Sequence, residues 1–200
     1  MNLAAYDAFF EAHRTGRKSA AKAAVRAFTA SFASFEEKQA WVSGFLRTHD
    51  AETRIRHEIY EELVLPVLLK GYHASDAWST QWLAITAPNL HEARHQWAQL
   101  DFISTYALLK RWYCLAPESA AARQALLEKL IDRFVYSEHE WPGVILCGMG
   151  GATLEQCHQH ADAVVEARAL DIDGAWTAFL DEFDDKLRVY QARLLNEADQ

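Results

Sequence analysis

The sequence predicts an all-α protein built from antiparallel helix pairs, and three observations carry that expectation. Apolar residues recur at spacings of three and four along nearly every segment, and no stretch of useful length alternates apolar with polar residues. Only eight glycines and four prolines punctuate 200 residues, too few for many short strands joined by tight turns. Half the residues are apolar and 12% are aromatic, enough to fill a core, so residues 1–200 are expected to form one domain.

The elements follow in order. Leu3 to Arg14 places Tyr6, Phe9, Phe10 and His13 on one face, and a second helix after Gly16 does the same with Val25, Phe28 and Phe32. Ser34 opens S-F-E-E, a capping box that satisfies free backbone N–H groups ahead of Trp41, Val42, Phe45 and Leu46. Glu52 to Lys70 keeps Ile55, Ile59, Tyr60, Leu63 and Val67 in phase. Pro66 must kink or divide that segment, and Gly71 is its expected stop. Ser75 or Asp76 caps a short helix carrying Trp78, Trp82 and Leu83, which Pro88 is expected to close.

Asp101 to Leu115 and Ser119 to Ser137 form the next pair. The short A-P-E-S linker between them calls for antiparallel neighbours. Glu138 to Ala152, with four of the eight glycines, is the longest expected loop. Thr153 to Gln156 is a second capping box, opening a helix to about Leu170. A last helix carries Trp176, Phe179, Leu180, Phe183, Leu187, Tyr190 and Leu194, and the tail N-E-A-D-Q is expected to fray.

The formal charge of −8 argues against a general nucleic-acid binder, which needs clustered Lys and Arg. The basic N-terminal run from His13 to Arg26 reads as a solvated helix face. No signal peptide and no membrane-length apolar run is legible, and three cysteines without CxxC spacing read as reduced thiols. The expected location is the cytoplasm, with no membrane and no cofactor.

The stretch Y-A-L-L-K-R-W-Y-C-L-A-P-E-S-A-A-A-R-Q-A-L-L-E-K-L-I resembles a tetratricopeptide-type junction: a helix, a proline near the turn, then a helix with small residues at its start. The resemblance implies a tetratricopeptide-like α-α superhelix, with a compact helical bundle as the other form. R-H-E … L-P-x-L-L-x-G-Y, at Arg56 to Tyr72, and H-E-W-P, at His139 to Pro142, are also similar to segments of small bacterial helical proteins without an assigned activity. That likeness implies the fold and transfers no catalytic residue.

One motif points elsewhere. His91-Glu92-Ala93-Arg94-His95 spells H-E-x-x-H, in which two histidines one helical turn apart hold zinc and the glutamate polarises a bound water. Asp101 would have to supply the third ligand, in a metzincin-like spacing that lacks the glycine needed where Ala98 stands. No strand pattern exists to build the usual substrate-binding sheet. In helical phase, Leu90, Ala93, Trp97 and Leu100 face the core and the two histidines face outward.

Two other groups remain. Cys157 and His160 in C-H-Q-H read as a solvated helix face with one half-buried thiol. In S-E-H-E-W-P-G, His139, Glu140 and Trp141 precede a glycine-rich loop, a common setting for binding residues on a rigid helical scaffold. Trp78 and Trp82 share one helix face. The leading expectation is therefore a non-enzymatic protein- or peptide-binding module, in one form an immunity-type protein. Its partner is expected to be basic, met through His139, Glu140, Trp141, Trp78 and Trp82. The rival is a zinc-dependent hydrolase using His91, His95 and Asp101.

Overall fold

A computed structural model describes residues 1–49 and 54–198. It is all-α, with one two-stranded hairpin among the described residues, and divides into two compact units, Met1–Ala116 and Pro117–Gln200. The division falls in the A-P-E-S linker. No helix among the described residues is long and apolar enough to cross a membrane.

The first unit opens with α1 (Leu3–Arg14) and α2 (Lys18–Ala30), packed as a hairpin around the Gly16 turn, where φ is +70°. Phe9 and Phe28 are fully buried there. Tyr6, Phe28 and Phe32 gather around Trp41 of α3 (Phe35–Thr48) at centroid distances of 5.2 to 6.2 Å. Ser34 caps α3 as its sequence predicts, accepting from the Glu37 N–H at 3.2 Å. The Glu37 carboxylate instead accepts from Ala33 N–H, one residue earlier than a capping box requires.

The start of the segment expected at Glu52 lies outside the described residues. Helix α4 (His57–Ile59) runs through a π-helical turn (Tyr60–Val64) into α5 (Leu65–His73). Pro66 offers no N–H to Glu62, and the widened turn just before it, where the Leu65 N–H donates to Tyr60, absorbs the change. Gly71 is not a stop. A Cβ there would stand 2.0 Å from Ser79 Oγ, so the glycine lets α5 pack closely on α6 (Ala77–Ile85). Asp76, rather than Ser75, caps α6 by accepting from Ser79 N–H at 2.8 Å.

Helix α6 also packs on α9 (Thr105–Leu115), whose Ser104 cap and left-handed Asp101 and Phe102 delay its start past the predicted Asp101. Between them lie two short helices, α7 (Ala87–Glu92) and α8 (Arg94–Ala98). Pro88 sits in the first turn of α7 instead of closing α6, a position where its missing N–H costs nothing. Buried Asn89 clamps the chain at Ile55: its Oδ1 accepts from the Ile55 N–H at 3.3 Å, and its Nδ2 donates to the Ile55 carbonyl at 2.7 Å.

The second unit holds α10 (Ala120–Ser137), the hairpin strands β1 (Leu146–Cys147) and β2 (Gly150–Gly151), α11 (Leu154–Leu170) and α12 (Thr177–Ala198). Helix α11 packs on both α10 and α12 around Phe134, Cys157, His160, Ala167, Leu180 and Phe183. The Thr153 capping box is fully formed, and Asp171 Oδ2 accepts from Trp176 N–H at 2.9 Å ahead of α12. Cys157 and His160 are buried, correcting the solvated face expected of C-H-Q-H: positions 157, 160, 164 and 167 are the core stripe of α11. Cys114, Cys147 and Cys157 are free thiols.

Candidate functional site

The H-E-x-x-H segment lacks the continuous helix that its chemistry requires. Ala93, at φ −79° and ψ 59°, breaks the chain between α7 and α8, leaving His91 on one short helix and His95 on the next. Fully buried Ala93 and Leu90 anchor this break, as their phase predicts. His95 is exposed. His91 is half-buried, its ring 4.5 Å from that of Trp97, and its Nε2 has no hydrogen-bond partner among the described residues. Glu92 pairs with Arg54 at 2.7 Å, and Asp101 is an exposed residue with φ +50°. No group of three His, Cys, Asp or Glu placed to hold a metal occurs among the described residues.

Around His57, two cavities of about 260 and 200 Å³ share that imidazole. Arg54, Arg56 and Glu92 line the first, and Lys18, Lys22, Glu58, Glu61 and Glu62 line the second. Among these residues, His57 Nε2 lies 3.1 Å from Glu61 and Arg26 3.0 Å from Glu62, while Arg56 lies 3.2 Å from His13 Nε2. The basic N-terminal run thus meets the acidic side of the R-H-E-I-Y-E-E segment. Exposed pairs of this kind contribute little to stability.

Trp78 and Trp82 are half-buried on α6, their ring centroids 6.5 Å apart. They belong to the first unit, whereas His139, Glu140 and Trp141 belong to the second.

The second unit presents its loop on a rigid mount. At the end of α10, Glu138 accepts from Lys186 Nζ at 2.9 Å, and Lys186 also reaches Glu182 at 2.8 Å. Those two carboxylates, Glu182 foremost, hold the Lys186 ammonium pKa above its ordinary value. The next residues, His139 and Glu140, are exposed and 3.9 Å apart. Trp141 is half-buried, and after it the Arg193 guanidinium of α12 donates to the Pro142 and Gly143 carbonyls.

Buried Ile145 then plugs the core, its carbonyl accepting from Ala152 N–H at 2.7 Å across the hairpin mouth. The Ala152 carbonyl accepts from Tyr190 O–H at 3.1 Å. A side chain at Gly151 would put a Cβ 2.9 Å from that hydroxyl, so any larger residue there must displace it. The loop is thus tied to α12 at Glu138, Pro142, Gly143 and Ala152, and its tip stays in solvent. Sequence reasoning marked the loop's span but missed the ties, because Arg193 and Tyr190 lie some 40 to 50 residues away.

The charge follows the division. Pro117–Gln200 carries sixteen acidic residues against seven basic ones, a formal −9, while Met1–Ala116 carries twelve against thirteen. Such a surface field raises the encounter rate with basic partners and repels acidic ones. Comparison of the chain with protein-family models, curated proteins and solved structures gives no match.

Proposed function

We infer that this chain is a non-enzymatic helical module that binds a basic protein or peptide, with His139, Glu140 and Trp141 at the contact. The observation that carries this reading is the concentration of the whole net negative charge in the unit that also holds His139 and Glu140, exposed at the start of a loop tied to α12. Pre-organisation matters because a loop already ordered loses little entropy on binding. Trp141 supplies a half-buried aromatic edge, and Glu140 a carboxylate for Lys or Arg. The concrete form of the reading is a cytoplasmic immunity-type protein that neutralises a basic toxin.

The test is fluorescence anisotropy of two labelled amphipathic helical peptides, one Leu-Lys and one Leu-Glu, titrated with the full chain. The Leu-Lys peptide is expected to bind and the Leu-Glu peptide to fail, with Glu140→Lys weakening binding by about fivefold, the scale of one rim charge pair. Equal binding of both peptides, or of neither, would overturn the reading.

A further inference from the structure

The hairpin of the second unit carries a feature that its packing does not explain. Leu146 pairs with Gly151 and Cys147 with Gly150, so Gly148 and Met149 form a two-residue turn. Gly148 supplies the positive φ, +65°, that such a turn needs at its first position. Met149 follows with its side chain fully exposed. The turn is held in place, since Tyr136 O–H of α10 donates to the Gly148 carbonyl at 3.0 Å. Tyr136 and its neighbour Val135 are themselves more than half exposed. An exposed apolar side chain thus sits on a turn tied to exposed Tyr136, in a unit of formal charge −9.

The geometry points to Met149 as the apolar anchor of a docking surface, with Tyr136 tied to its turn, for a basic amphipathic segment of another protein. A methionine side chain is unbranched and polarisable, suited to a shallow apolar pocket or helix face. The net charge of the unit selects the occupant: a second copy of this unit would bring −9 against −9, whereas a segment rich in Lys and Arg around an apolar stripe complements both the knob and that charge. This inference rests on the proposed function and adds the residue that anchors the partner.

The test titrates the labelled Leu-Lys helical peptide with the full-length chain and its Met149→Glu and Met149→Leu variants, with sedimentation velocity of each protein across a hundredfold concentration range. Met149 lies outside the core, so both variants are expected to keep the wild-type circular dichroism and melting temperature. Wild type and Met149→Leu are expected to bind alike, and Met149→Glu at least about tenfold more weakly, as for loss of an apolar anchor. Unchanged binding by Met149→Glu overturns Met149 as the anchor while leaving the proposed function standing. Absence of peptide binding by the wild type overturns the proposed function itself. Concentration-dependent association of the wild type that Met149→Glu abolishes assigns the knob to a second copy and overturns the basic partner.

Discussion

His160 shows how one buried side chain sets the response of the molecule to pH. It is 1% exposed in the core of the second unit, 6.0 Å from the Phe183 ring, and neither ring nitrogen has a side-chain or backbone hydrogen bond of normal geometry. Burial first, and the nearby Arg133 charge second, lower its pKa to about 4, with the Leu146 backbone offsetting this in part. The unfolded chain therefore binds the proton more tightly, and stability is lost as pH falls from about 6.5 towards 4. Between pH 7 and pH 5 the loss is about 2 kcal/mol. His160→Phe is expected to remove that part of the pH dependence, read as the difference in urea midpoint at the two pH values. An equal difference in both proteins would refute it.

Asn89 is a second such residue, because its amide pairs with both the N–H and the carbonyl of buried Ile55. Asn89→Ala is expected to cost about 2–4 kcal/mol by leaving both Ile55 groups unpaired, measurable by urea unfolding. Neither role was legible in the sequence. A lone Asn and a His in C-H-Q-H give no sign of what they will meet until distant segments fold on them, and the C-H-Q-H segment was read as a solvated face.

Individual elements were legible where their cause is local. The helix starts at Ser34 and Thr153 follow from four-residue cap patterns, and the break expected at Pro66 takes the form of a π-helical turn before it. The failures have non-local causes. Gly71 was read as a stop because glycine ends helices, but here it makes room for Ser79 across a helix pair. Gly71→Ala is accordingly expected to destabilise the chain by about 1–3 kcal/mol or more, despite alanine's better helix propensity. A thermal melt that rises on this substitution would contradict the close packing of α5 on α6. The H-E-x-x-H spelling failed for a related reason. Leu90, Ala93 and Leu100 are buried as its phase expected, but His91, expected to face outward, is half-buried against a half-buried Trp97, and the chain divides into α7 and α8 at Ala93.

Across the whole molecule, composition set the all-α class but could not place the charge. A total of −8 describes neither unit: one is nearly neutral and the other carries −9. That asymmetry is the physical basis of the proposed function, and it separates binding by charge from binding by general stickiness. The most direct measurement compares two sets of neutralised proteins in the Leu-Lys peptide titration. One carries Asp132→Asn, Glu140→Gln and Asp162→Asn in the second unit, the other Asp7→Asn, Glu58→Gln and Asp101→Asn in the first. At about 0.5 kcal/mol per exposed charge, the second-unit set is expected to weaken binding roughly tenfold and the first-unit set to leave it unchanged. Equal weakening by the two sets, or none by either, would contradict the claim that the second unit recruits a basic partner.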